Sequence, residues 1–194
     1  MEIISRVKNI LFTPKTEWQT IEAENAPHMK VFTSYVALLA LIPTIAAFIG
    51  YGLIGYRVPL LGNIASISLG IRYAIQYYIL MAGGVYLTAF VINFLAENFG
   101  ATKNFDKAFS LVAYAYTPMF VAGIFYILPS LAWIAGLGGI YSLYLLYIGL
   151  QPMMKQPAEK TTSYFVVSLI AMAVVYVVLG MILGAILLSG TMFR

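Results

Sequence analysis

Three observations predict an all-α, polytopic membrane fold: the gaps in the charge pattern, the apolar composition, and the placement of the prolines. No Asp, Glu, Lys or Arg occurs in residues 31–56, 73–96, 108–154 or 161–193. A charge near the centre of a bilayer costs about 3 kcal/mol or more. A helix needs about 20 residues to cross the hydrocarbon layer. Runs of this length therefore imply lipid rather than a soluble core. The chain is 62% hydrophobic and 9% charged, whereas ordinary soluble domains are about 25% charged.

Five transmembrane helices follow, at 31–52, 73–96, 108–127, 131–150 and 164–188, behind a tail of residues 1–30. The run 108–154 must fold back on itself, and Leu128-Pro129-Ser130 is the expected turn because proline breaks a helix. Residues 58–71 are apolar but too short to cross, which favours a re-entrant or interfacial segment over a sixth span. The tail has no continuous apolar stretch of the kind a cleavable signal peptide needs.

Basic residues set the expected orientation. With five spans and the N-terminus inside, Arg6, Lys8, Lys15, Lys30, Lys103, Lys107, Lys155 and Lys160 fall on the cytoplasmic side. Only Arg57, Arg72 and Arg194 fall outside, an imbalance that places the C-terminus outside. The net charge of +4 is thus explained by topology, without a nucleic-acid partner.

In the tail, Ile3, Ile4, Val7, Ile10 and Leu11 recur at helical spacing, with Arg6 and Lys8 elsewhere on the wheel. This pattern predicts an amphipathic helix in the membrane interface, its basic face toward head groups. Thr13-Pro14 restarts a helix: threonine caps and proline suits the first position. Trp18 is expected at head-group level and Glu22 on an outward face. Two readings of this tail stay open. Arg6, Lys8, Trp18 and Glu22 form a surface for a cytoplasmic or membrane protein partner, or the helices pack flat on the bilayer or bundle.

The spans themselves hold no acid, so proton coupling and aspartyl chemistry have no residues to work with. Cysteine is absent and His28 is the one histidine, which excludes thiolate metal sites and a zinc cluster. No phosphate-binding glycine loop or nucleophile elbow occurs. The chain reads as a non-enzyme with no cofactor.

Tyrosine, proline and glycine remain. Tyr141, Tyr144 and Tyr147 lie three apart on the fourth span, and Tyr114 precedes Thr117-Pro118 on the third. Pro118 frees the Tyr114 carbonyl, which then needs a hydroxyl or a water. These residues, with Arg72 at the start of the second span, mark a candidate lipid or solute crevice between the third and fourth helices. The bland alternative is interhelical hydrogen bonding, often worth under about 1 kcal/mol per bond. Gly180 and Gly184 form a small-residue helix-packing motif, within the chain or in a homo-oligomer.

The ordered combination Thr13-Pro14, Trp18, Ile21-Glu22, then Ala113-Tyr114-Ala115-Tyr116-Thr117-Pro118, Gly139-Ile140-Tyr141-Ser142-Leu143-Tyr144, Gly149-Leu150, Pro157, Lys160 and Tyr164 resembles the prokaryotic branch of the Yip family, the Ypt/Rab-interacting membrane proteins. The resemblance covers nearly the whole chain. It implies a multi-pass protein of the bacterial cytoplasmic (inner) membrane. Eukaryotic members are implicated in binding prenylated Rab GTPases and in vesicle traffic. This chain lacks their long cytoplasmic region with its acidic, aromatic motif, so the resemblance implies fold and topology more than activity, and it carries over no catalytic residue.

Two functions compete. One is a non-enzymatic membrane organiser binding a partner or lipid through the tail and the loops at 97–107 and 152–163. The other is a small-solute or lipid transporter, or scramblase, using the tyrosine crevice. Topology is directly testable. A reporter active only in the periplasm should be active when fused after Arg194 and silent when fused after Lys155; the reverse pattern would overturn the orientation.

Overall fold

The computed structural model describes residues 2–58 and 62–191, with side-chain surroundings for these except Arg57, Val58, Asn63, Tyr176 and those from Val178 onward. Two short helices, α1 (Ile3–Phe12) and α2 (Pro14–Glu24), come first. Pro14 opens α2, its ring fixing the first helical φ. The Thr13 hydroxyl does not cap α2 as expected; it turns back and donates to the Asn9 carbonyl at 3.1 Å. Asn25 ends α2 in the left-handed conformation, at φ 46°.

Among the described residues, five helices are long and apolar enough to cross a membrane. The first four are His28–Ile54, Ile67–Phe99, Phe105–Ile127 and Pro129–Met154. The fifth opens with a turn at Ala158–Lys160 and continues over Thr161–Thr191. The expected turn at 128–130 is where the third span gives way to the fourth. Each span exceeds its expected bounds, because helices continue past the apolar run into the boundary layer.

The first span starts where Asp106 accepts the His28 backbone N–H at 2.7 Å and meets the His28 ring nitrogen Nδ1 at 2.6 Å. That carboxylate ties the first span to the third. Around Pro43, which cannot donate to the ladder, the first span opens into wide π-turns at Phe32–Val36 and Phe48–Ile54.

Within 58–71, the described residues form neither a re-entrant helix nor a sixth span. β1 (Tyr56–Val58) and β2 (Gly62–Ile64) pair antiparallel, with Arg57 opposite Asn63. From Ile67 the chain is already in the second span. This end of the molecule is the far end; the end carrying α1, α2 and the 96–104 and 155–160 connections is the hairpin end.

The third and fourth spans approach closely. A Cβ on Gly138 would sit 2.6 Å from the Pro118 carbonyl oxygen and 2.6 Å from the Ala122 methyl. Tyr116 and Thr88 share a 2.8 Å hydrogen bond between the third and second spans, and the Tyr164 hydroxyl of the fifth donates to the Ile92 carbonyl of the second. Ile10, Trp18 and Ile21 from the short helices enter one core with Val36, Phe109, Leu111, Leu145 and Leu150. Residues 1–30 are therefore largely part of the bundle.

Gly138→Ala should force the third and fourth spans apart at Pro118. The expected cost is about 1–3 kcal/mol, read as a lower melting temperature in detergent. An unchanged melting curve would contradict this packing.

Candidate functional site: an inserted helical hairpin

α1 and α2 form a hairpin seated against the third and fourth spans. Its depth follows from two contacts on the fourth span. At the surface end, Lys155 pairs with Glu22 at 3.0 Å. At the turn, the Tyr141 hydroxyl donates to the Leu11 carbonyl at 2.7 Å. From Tyr141 to Met154 is about 20 Å of helix, at about 1.5 Å per residue. The turn at Phe12-Thr13-Pro14 therefore lies about half-way along the fourth span. Leu11 carries one of the last carbonyls of α1, which has no partner within its own helix, and Tyr141 supplies one.

Trp18 sits between these contacts, 1% exposed. It lies on Gly149, where a Cβ would come within 2.5 Å of the indole carbon Cε2. Glycine at that position creates the seat for the ring.

Insertion carries charge into the bundle. Arg6 is 4% exposed and Glu17 also 4%. The Arg6 Nη1 donates to Glu17 Oε1 at 2.5 Å, and Nη2 donates to Glu24 Oε1. Asn9 donates to the other Glu17 oxygen at 3.1 Å. The guanidinium lies over the Tyr114 ring, 5.2 Å from its centroid, a cation–π contact that strengthens once water is excluded. Every buried charge here is paired and hydrogen-bonded, as burial requires.

Below this cluster, the Thr117 hydroxyl donates to the Tyr114 carbonyl at 2.6 Å and meets the Tyr35 hydroxyl at 2.7 Å. The carbonyl that Pro118 frees thus finds its partner on the neighbouring residue. Beside the cluster lies a cavity of about 420 Å³, bounded by Arg6, Glu24, Lys30, Ser34, Tyr35 and Tyr114 among others. Nearer the surface, Glu22 meets Lys155 and also Lys107, at 3.5 Å. Lys155, and then Lys107, hold the Glu22 carboxyl below the usual carboxylate range. A depressed carboxylate contributes stability above its ordinary value of about 4.3, lost as pH falls through the lower folded value. Between about pH 5 and 8 this grip stays complete.

Several expectations change. Arg6 and Lys8 do not share a basic face: Arg6 turns into the bundle, while Lys8 faces outward with Ile4 and Phe12. Trp18 is a core residue, not a head-group anchor, and neither Arg6 nor Trp18 is available as a partner surface. Glu22 is part of the clamp between α2 and the loops. Pro118 packs on Gly138 of the fourth span and Tyr141 bonds α1, whereas Tyr114 and Thr117 face Tyr35 of the first span, and α1 lies against both Tyr114 and Tyr141. Tyr144 and Tyr147 are largely exposed on the fourth span, Tyr147 meeting Thr162 at 3.1 Å. Arg72 is exposed near the far end of the second span and does not join them. Gly180 and Gly184 lie outside the residues with described side-chain packing.

The residues missed by sequence reasoning are Glu17, Glu24, Asn9, Lys30 and Tyr35. A signal was present for Glu17 and Glu24, beside Arg6. Arg6 falls on the stripe of Ile3 and Ile10, and Glu17 and Glu24 flank Ile21 at helical spacing. Charges inside two facing apolar stripes are the mark of an ion pair buried between two helices.

Five apolar spans with a helical hairpin sunk among them define a polytopic membrane helix bundle. The chain belongs to the Yip1 domain family, whose description matches residues 8–192. It is 31% identical over 167 residues to the inner membrane protein YohC of Escherichia coli K12, covering 83% of this chain and 85% of that protein. The protein of the same name from Escherichia coli O6:H1 matches to the same extent. No solved structure matches the chain.

Arg6→Met should leave Glu17 buried without its cation, at a cost of about 3–5 kcal/mol. Adding Glu17→Gln should recover part of that loss. Thermal unfolding of the single and double variants tests this, and a double variant no more stable than Arg6→Met would refute the pairing.

Proposed function

We propose that the protein is a non-enzymatic, lipid-binding organiser of the bacterial inner membrane, with its N-terminus and the hairpin end of the bundle on the cytoplasmic side and its C-terminus outside. The observation that carries this reading is the cavity beside Arg6. It opens between α1 and the first span, where polar Lys30, Ser34, Tyr35 and Tyr114 meet apolar Ile3 and Val31. Intramembrane charge is costly and by default marks a working site. Mixed polar and apolar walls suit a lipid head group with the start of its chains. The Tyr114 side chain is almost buried, and its ring already serves Arg6. Transport through the third–fourth crevice would first require the hairpin to leave, which favours binding over conduction.

Purified protein should retain phospholipid that mass spectrometry identifies after extensive detergent washing. Lys30→Gln and Tyr114→Phe should lower the retained amount while leaving the helix content unchanged. Protein that carries no lipid, or equal retention by these variants, would count against the cavity as the site.

A further inference from the structure

On the other flank of the hairpin, α2 and the end of the fourth span enclose a second cleft, of about 520 Å³, whose walls include Lys15, Trp18, Gln19, Gln151, Lys155 and Gln156. Lys15 and Gln19 are one turn apart on α2, and Gln151 and Lys155 are one turn apart at the end of the fourth span. Each pair shares a helix face, so two rows of donors line one space. Among the described residues no acidic side chain lines it. Among the described residues Lys15 has no ion-pair partner, and Lys155 shares the single Glu22 carboxylate with Lys107.

Trp18, also in the wall, is 1% exposed, its ring packed on Gly149. Gln156, 3% exposed, is held within the fold by Thr161 at 3.2 Å. Ile148 lies in the floor, giving the cleft one apolar side.

We propose that this cleft binds a phosphate group bearing net negative charge, carried either by an anionic phospholipid of the adjacent leaflet or by a free phosphorylated solute. Phosphate offers only acceptors and negative charge, the complement of the Lys15 and Lys155 ammonium groups and the Gln19 and Gln151 amides. Lysine binds it as a point charge without demanding a fixed geometry. The proposal concerns a cleft distinct from the cavity beside Arg6, and it stands whichever ligand that cavity holds.

The test uses the full chain in detergent micelles carrying Trp133→Phe, so that Trp18, the other of the two tryptophans, alone reports by fluorescence. Dispersed phosphatidylglycerol, phosphatidylcholine and inorganic phosphate are titrated separately, and melting temperature is followed alongside emission. Phosphatidylglycerol should shift both readouts and phosphatidylcholine neither. Lys15→Gln, which removes an exposed and unpaired charge, should leave the lipid-free melting temperature unchanged and weaken binding about tenfold. Gln151→Ala should weaken it in the same direction. If inorganic phosphate alone gives the same Lys15-dependent shift, the source is a free solute; if only phosphatidylglycerol does, it is the lipid. Equal shifts with both lipids, no response to any of the three, or full binding by Lys15→Gln would overturn the proposal.

Discussion

The pairing of Arg6 with Glu17 and Glu24 governs the architecture of the hairpin end. A guanidinium and a carboxylate taken out of water cost several kcal/mol each unless they meet. Neither could enter the bundle alone. Once α1 and α2 fold against each other the charges are matched, and the hairpin can be treated by the bundle as a largely neutral object. Its outer residues Ile4 and Phe12 are 75% and 76% exposed, a surface suited to lipid. The ion pair is therefore less a source of stability than the condition that lets the hairpin insert.

The spans are shaped to receive it. Gly149 leaves room for Trp18, Tyr141 closes the last carbonyl of α1, and Tyr114 lies face-on to Arg6. The break at Tyr116, between Phe105–Ala115 and Thr117–Ala122, keeps Thr117 in position for both Tyr35 and the freed carbonyl. At the surface Glu22 binds Lys107 in the first turn of the third span and Lys155 just after the fourth. One short hairpin thus touches the third span, the fourth span and the loop after it. In doing so it occupies the crevice that a transporter would need open, and it creates polar cavities on its two flanks.

Much of the fold was legible along the chain. Charge-free runs mark lipid because the cost of burying a charge belongs to each residue wherever it goes, and Pro129 marks a turn for a purely local steric reason. The partner of the Tyr114 carbonyl was foreseeable as a hydroxyl, since Thr117 is one residue from Pro118. The roles of Arg6, Trp18 and Glu22 were not. Each is amphiphilic or charged, and such residues suit an interface as well as they suit a core that supplies partners. The strands Tyr56–Val58 and Gly62–Ile64 were also hidden, because three-residue strands are too short to show an alternating pattern.

The sequence by itself determined that this protein lives in a membrane, that it has five spans, and that their charge-free runs hold no acid. These are matters of local composition, which no packing can alter. Only the tertiary structure decided that the tail returns into the bundle and buries Arg6 with Glu17 there. That outcome depends on Gly149, Tyr141 and Tyr114, more than a hundred residues away along the chain, offering a seat, a donor and a ring at the right heights. Complementarity between such distant groups is a property of the assembled helices, and no single stretch of residues contains it.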